Sequence, residues 1–211
     1  LIVISLIVTF IHFFFKINLQ ISFSIFTFGI LIFFYKKNFR LFDLIKSENI
    51  YYILIIFLLI PIFFSQKYHE DFGYYHLPYA LAFLEEKIVF GFANINKTFV
   101  YNSIWLNLYP IFFFENQNYN YLTFPSFLLF LIFIIFSIEK ILKKKYSKIS
   151  NYYLTVVLFY LLLKFTRISE FGVDFPATIF AILGIFYFIK FYETNEISKR
   201  KSFFYFSFAF S

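Results

Sequence analysis

The chain has 211 residues, of which 61% are hydrophobic and 28% aromatic, and its formal net charge is +7 at pH 7. An average soluble domain has about 45–50% apolar residues, so this composition indicates a membrane protein. No cysteine is present, which excludes disulfides, thiolate metal sites and a cysteine nucleophile. The basic residues form short clusters beside apolar runs, without a recognition motif for nucleic acid. They therefore predict contact with membrane lipids and no nucleic-acid partner.

Apolar runs predict an all-α fold, a polytopic helical bundle that crosses a membrane several times. A helix needs about 20 apolar residues to cross a bilayer, with about 17–25 as the usual range. These runs are apolar on every face, unlike membrane strands, which alternate polar and apolar residues. We expect a single transmembrane domain over 1–211, which is a piece of a longer protein because its last run is short. The predicted spans lie at about 1–16, 18–35, 50–65, 121–138, 151–165, 174–192 and 202–211.

Basic residues set the predicted orientation, because cytoplasmic loops retain Lys and Arg. Thirteen of the 19 basic residues fall in three loops, at 36–46, 140–148 and 190–201. We therefore expect these loops to be cytoplasmic. The long segment 66–120 then becomes an outer loop.

Two short helices are predicted within the outer loop. Residues 78–88 have Pro78 in the first turn and leave their acidic residues exposed, as an amphipathic helix does. Residues 101–114 carry apolar side chains at helical spacing, interrupted by Asn and Pro, which is typical of a helix lying flat in the membrane interface. A membrane crossing by this second stretch would move the lysine-rich loop at 140–148 outside, against the charge rule.

The stretch QKYHEDFGYYHLP, residues 66–78, gathers polar residues where the third span meets water. Glu70 and Asp71 need water, a partner or a cation there, because burial of an isolated carboxylate is costly. One interpretation is an ordinary solvated loop with His69 and His76 in the interface. A second is a cavity in which one carboxylate acts as a general base or binds a divalent cation, with a histidine nearby. A third is a zinc site of His69, Asp71 and His76, whose spacing matches no standard zinc pattern.

A second acidic group precedes the sixth span. Glu170 and Asp174 follow Arg167 in a short outer turn. They either form a solvated turn with an ion pair, or Asp174 faces the same cavity as Asp71 from the top of its helix. His12, alone in the first span, is predicted to be a packed or interfacial residue.

Three motifs of the outer loop resemble those of a family of bacterial multi-spanning membrane proteins. They are Asp71-Phe72-Gly73-Tyr74-Tyr75-His76-Leu77-Pro78, Gly91-Phe92-Ala93-Asn94-Ile95 and Asn102-Ser103-Ile104-Trp105. The family pattern is approximately D-x-x-x-Y-H-L-P, then G-L-x-N-L-H-x-R, then N-S-x-W. That family is similar to the GT-C glycosyltransferases, which include the protein mannosyltransferases and the aminoarabinose transferases.

The resemblance implies a multi-pass GT-C arrangement in the bacterial plasma membrane and a sugar transferase of cell-envelope glycan assembly. Its donor would be a sugar on a polyprenyl phosphate, used at the outer membrane face. Asp71 matches the family's catalytic base or metal contact, with Glu70 beside it as a second catalytic candidate. Should a divalent cation take part, the expected ligands are Asp71, by the resemblance, and His69, as a neighbour in the polar cluster.

Substrate contacts follow from the same motifs. Where the family has His and Arg, this chain has Asn96 and Thr98, and Lys97 supplies a point charge instead. With Asp174 facing the same cavity, the expected substrate-binding residues are His76, Tyr75, Asn94, Lys97, Asn102, Trp105 and Asp174.

Two other functions stay open for the sequence. A transporter or flippase for glycans or anionic solutes would line a pathway with the same acids and tyrosines. Transporters usually need charged or helix-breaking residues near the membrane midplane, and Pro61, near the end of its span, and Gly184 are the only such candidates in the sequence, a scarcity that disfavours transport. A non-enzymatic membrane scaffold would tolerate the loss of both Glu70 and Asp71.

Overall fold

The structure, a computed structural model, is built from helices in the residues that it describes, and no strand occurs among them. The predicted all-α class is therefore confirmed. The described residues are 1–36, 50–64, 71–88, 90–95, 97, 103–113, 119–142, 148–164, 171–193 and 201–206. The α-helices are α1 (Ile2–His12), α2 (Leu19–Lys36), α3 (Ile50–Phe64), α4 (Leu77–Glu85), α5 (Phe92–Ile95), α6 (Phe124–Leu142), α7 (Lys148–Leu163) and α8 (Asp174–Glu193). A π-helical segment (Phe72–His76), two 3-10 helices (Ile104–Phe112 and Tyr119–Thr123) and a short helix at 201–206 complete the set.

The chain divides into two compact units, and the single transmembrane domain expected over 1–211 stays a prediction. Unit 1 consists of Leu1–Pro125 and Ser169–Val173, and unit 2 of Ser126–Ile168 and Asp174–Ser211. No linker or change in composition marks the division. It arises from tertiary packing of segments that are distant in sequence, which hydropathy does not report.

Two helices of the described part are long and apolar enough to cross a membrane, which supports membrane association. They are Tyr121–Leu142, which includes α6, and α8. Shorter apolar helices occupy four further predicted spans. Among these, α1 has 11 residues and is about 16 Å long, against a hydrocarbon core of about 30 Å. Membrane crossing by these four helices stays a prediction, and of the last predicted span residues 207–211 lie outside the described residues.

In unit 2, α6 and α8 run parallel. Phe130 lies 5.6 Å from Phe175, measured between ring centroids, near the start of both helices. Further along both helices, Phe136 lies 5.6 Å from Phe186. Because both contacts advance in the same direction, the two membrane-spanning candidates end on the same side of unit 2.

The other helices of unit 2 run antiparallel to α8. Ser150, at the start of α7, donates a hydrogen bond from its Oγ to the carboxylate of Glu193 at the end of α8. The short helix at 201–206 also returns along α8, since Phe203 contacts Phe191 with ring centroids 6.1 Å apart. The described residues of unit 2 therefore form an up-and-down arrangement of four helices.

Basic residues collect at one end of this arrangement. Lys140 and Lys190 lie in the last turns of the parallel helices α6 and α8, and Lys201 begins the short helix at that same end. The Nζ of Lys140 lies 5.3 Å from the ring centroid of Phe136, and that of Lys190 lies 5.8 Å from the ring centroid of Tyr187. Lysine side chains that lie along aromatic rings and carry their ammonium groups at helix ends are typical of a membrane interface.

Apolar side chains cover much of the outside of unit 2. Phe159 and Leu163 of α7 and Phe188 of α8 are exposed. A helix in water carries charged and polar residues at such positions, and extended apolar surfaces mark interaction with lipid or protein. These residues therefore support the assignment of the unit to a membrane.

In unit 1, α1 and α4 meet at their C-terminal ends. The His12 ring stacks on Phe83 with centroids 3.6 Å apart, and its Nε2 donates to the carbonyl oxygen of Glu86 at 3.0 Å. The backbone N–H of Ile88 donates to the carbonyl oxygen of His12 at 3.1 Å. His12 is therefore a packed residue that fixes the junction of these helices.

The 3-10 helix at Ile104–Phe112 differs from the interfacial helix expected over 101–114. All eight residues from 105 to 112 are buried, so the half-exposed face expected of an interfacial helix is absent. Pro110 has no N–H for an α-helical hydrogen bond, which favours tighter turns. The Asn and Pro residues that suggested exposure lie within the packing of unit 1.

Candidate functional site

A continuous helix over 71–85 carries the polar motif of the predicted outer loop. From Asp71, its first described residue, it widens into the π-helical segment Phe72–His76 and continues as α4. The N–H of Leu77 closes the wide turn by donating to the carbonyl oxygen five residues earlier. Pro78 explains this geometry, because proline lacks an N–H and its ring collides with the carbonyl four residues earlier in a regular α-helix. A wider turn gives the proline ring space, and its backbone hydrogen bonds join residues five positions apart instead of four.

The wide turn directs two residues of the motif into the core of unit 1. Phe72 and His76 are buried, whereas Tyr74 is 74% exposed. Both buried rings pack edge-to-face on Phe171, with centroids 5.1 Å away for Phe72 and 5.6 Å for His76. Tyr75, which is half-buried, covers His76 at a centroid distance of 4.2 Å. The histidine is thus held on two sides by aromatic rings.

Gly172 allows the backbone to approach this histidine closely. Its φ is +156°, a conformation that L side chains rarely adopt, and a Cβ there would lie 3.3 Å from His76 Cε1. The Tyr109 hydroxyl donates to the Gly172 carbonyl oxygen at 2.7 Å, and the Tyr109 ring lies 4.1 Å from that of Phe171. These contacts fix residues 171–173 against the helix that begins at Asp71.

Three predicted site residues share this helix, and others lie elsewhere. Asp71, its first described residue, is half-buried, and Tyr75 and His76 follow within the wide turn. Asp174 is exposed in the first turn of α8 and belongs to unit 2, so the cavity predicted for it and Asp71 stays a prediction. The predicted residues Glu70, His69 and Asn102 lie outside the described residues.

The remaining predicted substrate contacts differ in exposure. Asn94 and Lys97 are exposed, and the Asn94 N–H donates to the carbonyl oxygen of Gly91 at 2.8 Å. Trp105 is 5% exposed, and its backbone N–H donates to Ser103 Oγ at 3.3 Å in the first turn of the 3-10 helix. The structure therefore places Trp105 in the core, and its role in substrate binding stays a prediction.

In the described ranges, no group of three or more His, Asp or Glu side chains could hold a metal ion. His69 lies outside those ranges, so a metal contact formed with Asp71 stays a prediction. The Asp71 carboxylate is the kind of oxygen ligand that Mg²⁺ and Ca²⁺ prefer.

Asn107 is a buried polar residue to which the sequence analysis gave no role. Its Nδ2 donates to Thr9 Oγ1 at 2.6 Å, and its Oδ1 accepts from the Tyr79 hydroxyl at 3.2 Å. Thr9 Oγ1 in turn donates to the carbonyl oxygen of Ser5 at 2.8 Å. This network connects α1, α4 and the 3-10 helix, as buried polar groups require. The sequence feature that could have indicated this role is an Asn within an otherwise apolar run.

In a comparison with protein families, one family model matches the whole chain. A family model described as a domain of unknown function (DUF8201) matches residues 1–211. The chain belongs to the DUF8201 family. No curated protein and no solved structure matches it. The DUF8201 match includes both compact units, so Asp71, His76 and Asn107 all lie inside the matched region.

Proposed function

We propose that this DUF8201 protein is a multi-pass membrane glycosyltransferase of the GT-C type, located in the bacterial plasma membrane. It would transfer a sugar from a polyprenyl-phosphate donor at the outer membrane face, during assembly of a cell-envelope glycan. The acceptor oxygen forms a bond to the anomeric carbon of the sugar while the bond from that carbon to the phosphate oxygen breaks. The lipid phosphate leaves as an anion, and a base removes the proton of the acceptor hydroxyl.

The position of Asp71 is the observation that supports this proposal most. Asp71 is half-buried on the helix described over 71–85, which comes after the apolar helix α3 in the chain. A general base must be held within hydrogen-bond reach of the proton it removes. The packing of His76 on Phe171 anchors this helix one turn beyond Asp71. The backbone that carries the Asp71 carboxylate is thereby held in place.

Other residues have supporting roles in the proposal. Lys97 is exposed and would neutralise charge on the leaving phosphate. Tyr75 is half-buried beside His76, where its ring could stack on a sugar. A divalent cation at Asp71 would supply further charge stabilisation to the phosphate.

Orientation also supports an outer-face reaction. Within unit 2, the ends of α6 and α8 carry Lys140 and Lys190 on one side. The positive-inside rule assigns that side to the cytoplasm. The topology predicted from the sequence assigns 66–120 to the outer face, where lipid-linked sugar donors of cell-envelope assembly would be used.

The decisive experiment measures sugar transfer in membranes that contain the protein, with a radiolabelled polyprenyl-phosphate sugar as donor. Removal of a general base typically costs about 10²- to 10⁴-fold in rate, so Asp71→Asn should lower transfer at least about 100-fold. Glu85→Gln is the matched control, because Glu85 is an exposed carboxylate on the same helix. It should leave transfer unchanged.

Membrane extraction and protein yield must be equal for the two variants, so that a folding defect is not read as loss of catalysis. Full transfer by Asp71→Asn would remove Asp71 from the reaction. No transfer by the unmodified protein from any polyprenyl-phosphate sugar would reject the proposed function itself.

A further inference from the structure

A cavity of about 600 Å³ lies in unit 1, between the end of α1 and the start of α2. Its walls are largely apolar and include Phe10, Phe14, Phe15 and Ile21. The Phe10 and Phe14 rings pack edge-to-face with centroids 5.4 Å apart, which fixes one wall. The three phenylalanines are nonetheless 59–67% exposed. Since water solvates such rings poorly, the cavity favours an apolar occupant.

One end of the cavity is polar and positively charged. Lys16, Asn18 and Gln20 line it where the chain passes from α1 to α2, and none of the described residues that line the cavity is acidic. The Asn18 Oδ1 accepts a hydrogen bond from the Ile21 N–H at 3.0 Å, so this side chain is engaged in capping α2. Lys16 is therefore the charged group that the cavity offers to a ligand.

The cavity is formed by a segment whose backbone is fixed on both sides. Before it, the carbonyl oxygen of His12 accepts from the Ile88 N–H at 3.1 Å. Within it, the N–H of Ile17 donates to the carbonyl oxygen of Phe83 at 2.8 Å, and the Ile17 side chain is fully buried. A ligand would thus enter a site that needs little ordering on binding, which favours affinity.

We infer that this cavity binds one acyl chain of an anionic bilayer phospholipid, whose phosphate-bearing headgroup lies at Lys16. The aromatic walls disfavour a small soluble anion, whereas a single lysine without an acidic neighbour in the cavity favours a net negative headgroup over a zwitterionic one. The volume lies within the range of about 300–1,000 Å³ typical of small-ligand sites. Basic pockets between helices bind anionic lipids in this way. The inference does not depend on sugar transfer.

The experiment uses the protein reconstituted in phosphatidylcholine vesicles that contain a minor fraction of lipid with brominated acyl chains. Bromine quenches tryptophan fluorescence at short range, so Phe14→Trp reports on the cavity wall. Phe159→Trp on α7 is the matched reporter, because Phe159 is equally exposed on an apolar helix surface in the other unit. The native Trp105 is a common background in both proteins. Brominated phosphatidylglycerol is compared with brominated phosphatidylcholine at equal amounts.

At Phe14→Trp, quenching should indicate about fivefold enrichment of phosphatidylglycerol over phosphatidylcholine, the factor expected for one basic residue near an anionic lipid. Lys16→Gln should abolish this enrichment, and Lys164→Gln, which removes an exposed lysine in unit 2, should preserve it. At Phe159→Trp the two lipids should quench equally. Equal quenching at Phe14→Trp, or enrichment that survives Lys16→Gln, would overturn the inference. Quenching by neither lipid would show that protein covers the cavity and would overturn it as well.

A second measurement avoids the tryptophan substitutions. In native mass spectrometry from mixed phosphatidylglycerol and phosphatidylcholine, the unmodified protein and Lys164→Gln should retain phosphatidylglycerol, and Lys16→Gln should lose it. Equal retention by all three proteins would count against a site at Lys16. Because neither readout involves a sugar donor, the outcome is separate from that of the transfer assay.

Discussion

The Tyr109 hydroxyl donates a 2.7 Å hydrogen bond to the carbonyl oxygen of Gly172, a residue 63 positions later in the chain. Phe171, next to Gly172, packs on both Tyr109 and His76. The segment at 171–173 therefore holds the buried 3-10 helix and the wide turn after Asp71 in one arrangement. The orientation of the predicted catalytic segment depends on this distant contact.

Tyr109→Phe should destabilise unit 1 while keeping the ring packing. The Gly172 carbonyl oxygen loses this hydrogen bond, and loss of a typical hydrogen bond costs about 1 kcal/mol. Unfolding of the purified protein in detergent by added denaturant measures the change. Tyr74→Phe, at a ring that is largely exposed, is the matched control and should leave the free energy of unfolding unchanged. Equal stability of all three proteins would contradict the role assigned to the Tyr109 hydroxyl.

Asn107 and Thr9 should be energetically coupled. Thr9→Val leaves Asn107 Nδ2 without its acceptor, and Asn107→Leu removes the donor to Thr9 Oγ1, whereas the double variant removes both ends of this hydrogen bond at once. The double variant should therefore cost less than the sum of the single variants, by about 0.5–3 kcal/mol of unfolding free energy. Thr27→Val is the control, since Thr27 donates to a carbonyl oxygen four residues earlier but is exposed. The change in unfolding free energy caused by Thr27→Val should simply add to that caused by Asn107→Leu. If the changes caused by Thr9→Val and Asn107→Leu also simply add, the coupling is refuted.

The lysine-bearing and aspartate-bearing ends should lie on opposite faces of the membrane. The chain has no native cysteine, so single introduced cysteines report on accessibility. Glu85→Cys should react with a membrane-impermeant maleimide in intact cells, and Leu142→Cys and Lys201→Cys only after permeabilisation, because basic loops stay cytoplasmic. All three sites are exposed. Labelling of Glu85→Cys only in permeabilised cells would place the helix of Asp71 in the cytoplasm and exclude the proposed donor.

Much of the helical framework could be predicted from apolar runs. Helices α2 and α8 fall within about one residue of the spans predicted at 18–35 and 174–192, because their hydrophobic runs end at polar or basic residues. α4 was predicted from Pro78 and the exposed acids that follow it. In each case local composition is sufficient, since the signal lies within the element itself.

The details of the candidate site could not be predicted in the same way. Pro78 at the start of a helix gives no indication that the chain is already helical before it, so the wide turn was missed. The burial of Trp105 and Asn107 depends on α1 packing over the 3-10 helix, and the enclosure of His76 depends on Phe171. These are contacts between distant segments, and an amphipathic pattern in one segment does not encode its neighbours.

The widened turn before Pro78 changes the direction in which the Asp71 side chain leaves the helix. Successive residues of an α-helix are rotated by about 100°, and a π turn accommodates roughly one extra residue before the regular spiral resumes. Relative to Ala80 and Phe83, the Asp71 side chain is therefore rotated by about 90° around the helix axis from its direction in an unbroken α-helix. The direction of the Asp71 carboxylate is therefore set by Pro78, seven residues later in the chain. Pro78 is uncharged and needs no contact with any substrate.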